Sequence, residues 1–214
     1  MSVSPSLPAS GSQQGFTDPN SSQGDFNAQA FLVKQLLGKV GTMMPVQVVG
    51  TTAGGLVAAP GTVTLVPQIN QVNGGGAPVP RGRVYGVPVW RYQGGASAII
   101  LDPVVGDLGM AFVAMRDISL FKATGAQANP GSFRRYNLAD SIYVGAILGA
   151  SPTSYLRFDA SGGMEMVSPT TISLTVGGHS VVINSSGVTI DGKVFLAHTH
   201  SGVQTGSGDT GGVV

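Results

Sequence analysis

Beyond residue 150 the chain is cut into short alternating segments at a nearly regular rate, and this limits what it can fold into. Tyr155–Asp159, Gly163–Val167, Thr171–Val176, Ser180–Asn184, Gly187–Ile190 and Lys193–His200 have the composition of strands. Ala160-Ser161-Gly162, Gly177-Gly178, Ser185-Ser186 and Asp191-Gly192 are the turns between them. The spacing is that of a solenoid in which each unit leans on its neighbours, although no strict period is present. Side chains alternate across a strand, so Ile172, Leu174 and Val176 form one apolar row. A single copy of such a segment exposes too much edge and too much apolar face to stand alone. Three intertwined copies would pair the edges and bring the apolar faces together on an axis. A packed sandwich within one chain is the alternative.

The last of these segments ends in His198-Thr199-His200, followed by Ser201-Gly202-Val203 and a tail rich in glycine and threonine. In a strand, His198 and His200 share a face with Val194 and Leu196 behind them. Two histidines do not fill a metal site, and the chain has no cysteine to help. Threefold symmetry would complete the shell, because two imidazoles from each of three chains make six nitrogens around one ion. Imidazole suits zinc, copper, iron and nickel, and six nitrogen ligands disfavour zinc. A saturated ion would leave no open position for water or substrate, so it would serve structure.

Charged residues make up only 10% of the chain, against roughly 25% in a typical soluble domain, while apolar residues reach 42% and glycines number 33. That balance points to an all-β protein. A net charge of +1 argues against a large electrostatic footprint for nucleic acid. No apolar run approaches the ~18 residues of a spanning helix, and no basic-then-apolar leader opens the chain.

In order, residues 1–24 form a flexible N-terminal segment rich in Ser, Pro, Gln and Gly. Asp25 is placed to cap a helix from about Asn27 to Lys39, whose apolar positions, Phe31 and Val33 among them, should pack on its own domain. Five strand-like runs follow: Val46–Val49, Thr62–Val66, Arg83–Tyr92, Ala98–Leu101 and Gly109–Ala114. Five short strands suit a small closed barrel, of which the OB-fold is the commonest form. The helix and barrel are therefore assigned to residues 25–117, a connector to 118–141, a needle to 142–197 and a tip to 198–214. Ile142–Leu148 is expected to open the needle.

The order of these parts resembles the central spike of contractile-tailed bacteriophages, the baseplate protein that attacks the host membrane. The resemblance covers roughly residues 25–214. Its most specific parts are His198-Thr199-His200-Ser201-Gly202-Val203 with the following tail, and the stretch from Asn129 to Val144, which includes Ser-Phe-Arg-Arg-Tyr-Asn-Leu-Ala-Asp-Ser-Ile. It implies an all-β homotrimer in the virion, at the tip of the tail baseplate: an OB-like barrel docked on the baseplate hub or tail tube, then an intertwined triangular β-helix, with one short N-terminal helix. It also implies that His198 and His200 bind one iron ion per trimer, as Fe(II), and that the spike pierces the host outer membrane. Relatives often carry proline near the end of the tail, where this chain has Val213-Val214. No loop is long enough to hold a lysozyme-like insertion, so the chain resembles the non-enzymatic form.

Other residues compete for a role. Arg81, Arg83, Tyr85, Trp90, Arg91 and Tyr92 interleave cations with aromatics, as a stacking platform for single strands or sugars on an OB scaffold would. The alternation of Tyr85, Val87, Val89 and Arg91 with Val84, Trp90 and Tyr92 fits an ordinary half-buried strand equally, and nucleic acid is not expected among the partners. The rival functions are an OB-type nucleic-acid or saccharide binding module with a β-rich appendage, and a receptor-binding tail fibre. His179, beside Gly177-Gly178, has the setting of a surface histidine. Glu165 is the only glutamate and no catalytic constellation can be placed, so enzymatic activity is not expected.

Overall fold

The computed structural model describes residues 24–52, 61–73, 76–197 and 206. The chain divides into two compact units, with the boundary between Gly149 and Ala150. Strands dominate both, and helices are few, as the composition requires.

The first unit opens with helix α1, Asp25–Leu37, which begins at Asp25 instead of being capped by it; Gly24 precedes it and makes no side-chain cap. None of its residues is buried, contrary to the expectation that it packs on its own domain, and Phe26 is 80% exposed. Next come β1 (Met43–Thr52), β2 (Thr62–Pro67), the short pair β3 (Gln71–Val72) and β4 (Pro78–Val79), and β5 (Val84–Pro88). They are followed by β6 (Tyr92–Gly94), β7 (Ser97–Ile99), β8 (Leu108–Val113), a short helix α2 (Ser119–Thr124) and β9 (Ser141–Ala146).

Five of these strands form one antiparallel sheet in the order β5-β2-β1-β8-β9. The sheet curls until its two edge strands approach. Val89 bridges Tyr143 in parallel, and the Trp90 N–H donates to the Tyr143 carbonyl at 2.8 Å. Alternation in β1 and β2 sends Val46, Val48, Val63 and Leu65 inward, where Val87, Ala111 and Tyr143 complete the core. Gly109 lies under the Tyr143 ring, and a Cβ there would run into it. In β5 the alternation breaks at Gly86, whose φ of 62° favours glycine. Tyr85 and Gly86 together face Thr64, a bulge that turns both Val84 and Val87 toward the core and leaves Tyr85 outside.

Two assignments from the sequence change here. Ser141–Ala146 pairs with β8 and completes the first sheet, so Ile142–Leu148 does not open the needle. Its side chains supply Tyr143 to the core, and a run this apolar is needed to finish a sheet as much as to start a new one. Ala98–Leu101 is not a sheet strand either; Ser97–Ile99 folds back on Tyr92–Gly94 as a two-stranded ribbon.

The second unit begins with a hairpin of β10 (Tyr155–Phe158) and β11 (Met164–Val167). The Asp159 carboxylate accepts from the Ser161 N–H, the Ser161 hydroxyl and the Gly163 N–H in its turn. A four-stranded antiparallel meander follows: β12 (Thr171–Val176), β13 (His179–Asn184), β14 (Gly187–Ile190) and β15 (Lys193–Val194). The turns fall where the glycine, serine and Asp-Gly pairs were read. Register puts Ile172, Leu174, Val176, Val181, Ile183, Val188 and Ile190 on one face together with His179 and Lys193, and Thr171, Ser173, Thr175, Ser180, Val182, Asn184, Thr189 and Val194 on the other. In the hairpin, Leu156, Phe158, Met164 and Met166 share a face, and Arg157 pairs with Glu165 on the opposite one at 3.0 Å. No described residue of this unit is buried.

Candidate functional site

Three places carry chemistry or recognition: the approach to the tip, the connector before β9, and a cleft on the curled sheet. At the tip, β15 stops at Val194 and the chain turns through a 3-10 helix, Phe195–Ala197. The strand predicted to run from Lys193 to His200 is thus shorter, and Leu196 does not continue the alternation of Val194. Leu196 is 89% exposed. His198 and His200 lie outside the described residues. Among the described residues there is no group of three or more His, Cys, Asp or Glu side chains able to hold a metal ion. His179 is at the surface, as read, with its Nδ1 2.7 Å from Asp191 Oδ2. The Ser180 N–H donates to the same carboxylate at 2.7 Å. These contacts, the Ser180 amide first and His179 next, hold the Asp191 carboxyl below its usual range.

The connector is locked by charge. Arg134 donates from Nε to Asp140 Oδ2 at 2.6 Å and from Nη2 to Asp140 Oδ1 at 2.9 Å. Its Nη2 also lies 3.0 Å from Asp117 Oδ1. Both aspartates are buried. The Ser132 hydroxyl donates to Asp117 Oδ2 at 2.6 Å, the Ser119 N–H to Asp117 Oδ1 at 2.8 Å and the Ile118 N–H to Asp140 Oδ1 at 3.1 Å. Gly131 fits against Asp117 and Ser119 where a Cβ would not. The Ser132 hydroxyl, then Ser119, hold Asp117 far below the ordinary carboxylate range, with Arg134 adding to them against the cost of burial. Asp140 in turn raises the pKa of Arg134. Every partner is supplied within 24 residues, so Asn129–Asp140 is a rigid clasp. Sequence reasoning singled out this stretch but missed its ion cluster. The available signal was three charged residues kept in a chain otherwise poor in charge.

The clasp exposes several side chains, Arg135 and Asn137 among them, and one of these is large and apolar. Phe133, between Ser132 and Arg134, is 98% exposed.

The cleft has a volume of about 490 Å³ and lies on the first unit. Its walls include Val63, Trp90, Tyr92, Ile99, Leu101 and Tyr143, with Asp102 and Asp107 among its polar groups. The β6–β7 ribbon forms one side because it stands off the sheet. The Trp90 and Tyr92 rings meet edge-on, 6.2 Å apart at 83°. Both are more than half exposed, as is Tyr85, which departs from the half-buried strand that alternation predicted. Burial raises the Tyr143 hydroxyl pKa, and the Asp107 charge adds to it. Arg81 belongs elsewhere, donating from Nε to the Ile69 carbonyl at 3.1 Å.

The chain matches no protein-family model, and no curated protein is significantly similar to it. No described helix is long and apolar enough to cross a membrane.

Proposed function

We propose that this chain is the central spike of a contractile tail, a homotrimer at the baseplate tip whose narrow end is driven through the host outer membrane. The second unit carries the reading. Its strands place seven aliphatic side chains of the meander on one face and four large apolar side chains of the hairpin on another, yet bury none of them. Three copies with these faces turned inward would make a triangular needle with a mostly apolar axis, His179 and Lys193 lying at the strand ends of that face, and a polar exterior. Force along such a needle is carried by backbone hydrogen bonds and by a core that exists only in the assembly.

The first unit supports the other half of the reading. Its strand order, with the two edge strands meeting in parallel, is that of a five-stranded Greek-key barrel, and so favours the OB-like assignment. It would dock the spike on the hub or tail tube. At the tip, His198 and His200 would hold the iron ion, since two neutral imidazoles per chain fit a six-coordinate ion shared by three chains. The ion supplies cross-linking where strand pairing has ended. Proteins of this kind need no catalytic group.

Mass in solution combined with metal content tests the proposal. Three chains per particle and one iron per three chains are expected, with iron lost and the trimer kept when both histidines become alanine. A single-chain particle, or stoichiometric metal in the double-alanine variant, would overturn it. The exposed aromatics of the cleft favour a second reading, an OB-type module for single-stranded nucleic acid or saccharide. Filter binding at low salt decides it: micromolar, salt-sensitive affinity for single-stranded DNA supports the module.

A further inference from the structure

We infer that the first unit has its own contact between copies, in which Phe133 of one chain seats in the Trp90–Tyr92 cleft of the next. The inference rests on the trimeric reading above and names a joint that the needle does not supply.

Phe133 does not fill its own cleft, because it is 98% exposed. It is also not a loose side chain. Ser132 and Arg134 on either side of it are tied to Asp117 and Asp140 by bonds of 2.6 to 3.0 Å. An aromatic ring held rigidly in water loses little conformational freedom when it docks, and such rings are the usual anchors of interfaces. The cleft is the complementary shape. Ile99, Leu101 and Val104 line it and are each more than half exposed, and its volume of about 490 Å³ accommodates a phenyl ring with its neighbours.

Charge agrees with shape. Arg135 adjoins Phe133 and Asp102 adjoins the apolar wall, both exposed. Neither makes an ion pair among the described residues. Docking the ring would bring the two together. Position agrees too. The clasp is built on residues just beyond the end of β8, whereas Asp107, in the cleft, immediately precedes its start. Six strand residues separate them, about 17 Å at the usual rise. Tyr143, Val144 and Gly145 of β9, which follow Asp140 of the clasp, also line the cleft, but Phe133 is not among the lining residues, so knob and cleft are neighbouring but different patches. Such a contact is head-to-tail, and three copies related by a third of a turn close it into a ring.

The chain contains no cysteine, which makes disulfide trapping clean. In the full-length protein, Phe133→Cys would be combined in turn with Ile99→Cys, Leu101→Cys and Val104→Cys, oxidised mildly and run on a denaturing gel. At least one pair should give bands of two and three covalent chains and none larger, with single-cysteine variants giving about tenfold less. Asp102→Arg should lower that yield about tenfold, and adding Arg135→Asp should restore it. All these side chains are exposed, so folding is spared; sedimentation of each variant checks it. No trapping in particles that still contain three chains refutes this contact and leaves the spike reading standing. Single-chain particles refute both, and a ladder running past three chains refutes the ring. A cleft that takes up single-stranded DNA or a saccharide without any trapping makes it a ligand site and overturns the inference.

Discussion

Replacing Leu174 by aspartate tests whether the apolar face of the second unit is covered by other copies. Leu174 is 56% exposed in one chain, and on the same face Val176 is 81%, Ile183 44% and Ile190 44% exposed. Those fractions leave the equivalent of about two whole aliphatic side chains in water. The hairpin adds about as much again through Leu156, Phe158, Met164 and Met166. At about 2 kcal/mol per side chain fully buried, covering both faces is worth roughly 9 kcal/mol per chain, or roughly 28 for three. Bringing chains together costs about 4–15 kcal/mol per association step. Two such steps cost about 8–30 kcal/mol, so burial outweighs them over most of that range, provided the faces meet. Aspartate at 174 would remove about 1 kcal/mol of that burial per chain and add several kcal/mol per chain for desolvating a carboxylate, three times over. The trimer should fall apart at micromolar concentration. Thr175→Asp, one residue along on the polar face, should leave it intact. Sedimentation equilibrium reads both. If Leu174→Asp keeps three chains together as well as Thr175→Asp does, the face is not the interface and the argument fails.

Other outcomes follow from single contacts. Arg134→Met removes the partner of buried Asp140 and should destabilise the first unit by about 2–3 kcal/mol in urea unfolding, a figure discounted because the guanidinium is 39% exposed. Gly109→Ala drives a methyl group into the Tyr143 ring and should cost about 1–3 kcal/mol, read as a lower thermal midpoint. Acid should loosen the clasp. The folded Asp117 carboxyl lies below its usual 3.8, so its contribution is complete above that value and is lost as pH falls below about 4. Thermal melts from pH 6 down to pH 2.5 should show that loss, and Asp117→Asn should remove most of it.

Much of the second unit was legible because its turns are written in two-residue pairs. Gly177-Gly178, Ser185-Ser186 and Asp191-Gly192 each join two strands as expected, and two strands, Thr171–Val176 and Gly187–Ile190, match to the residue, although the strand after Asp191-Gly192 ends at Val194. The first unit was harder. Ser141–Ala146 is as apolar as a needle strand, and only its pairing with β8 shows where it belongs. Ser97–Ile99 has strand composition but no place in the sheet, since the ribbon it makes with Tyr92–Gly94 satisfies it locally. At Gly86, one bulge moved Tyr85 from the core to the surface and with it the aromatic that alternation had half-buried. The ion clasp escaped notice because its members, Asp117, Arg134 and Asp140, have no periodicity that would mark them. Their positions follow from a turn that sequence spacing does not encode.

The two units differ in how much apolar surface they bury within one chain, a division that suits the proposed piercing role. The first unit buries Leu65, Val87, Tyr143 and their neighbours within one chain, so its fold does not depend on a partner. The second unit hydrogen-bonds its strands within the chain but leaves its apolar faces to water, so in the proposed trimer its stability would come largely from assembly. The proposed rod would have no separate monomeric core to deform under axial load, because the apolar row of each chain would meet those of the other two. Bending it would break contacts in all three chains together. The last described strand stops at Val194, before the histidines. In the proposed spike, an ion shared at His198 and His200 would join the three chain ends with two side chains per copy.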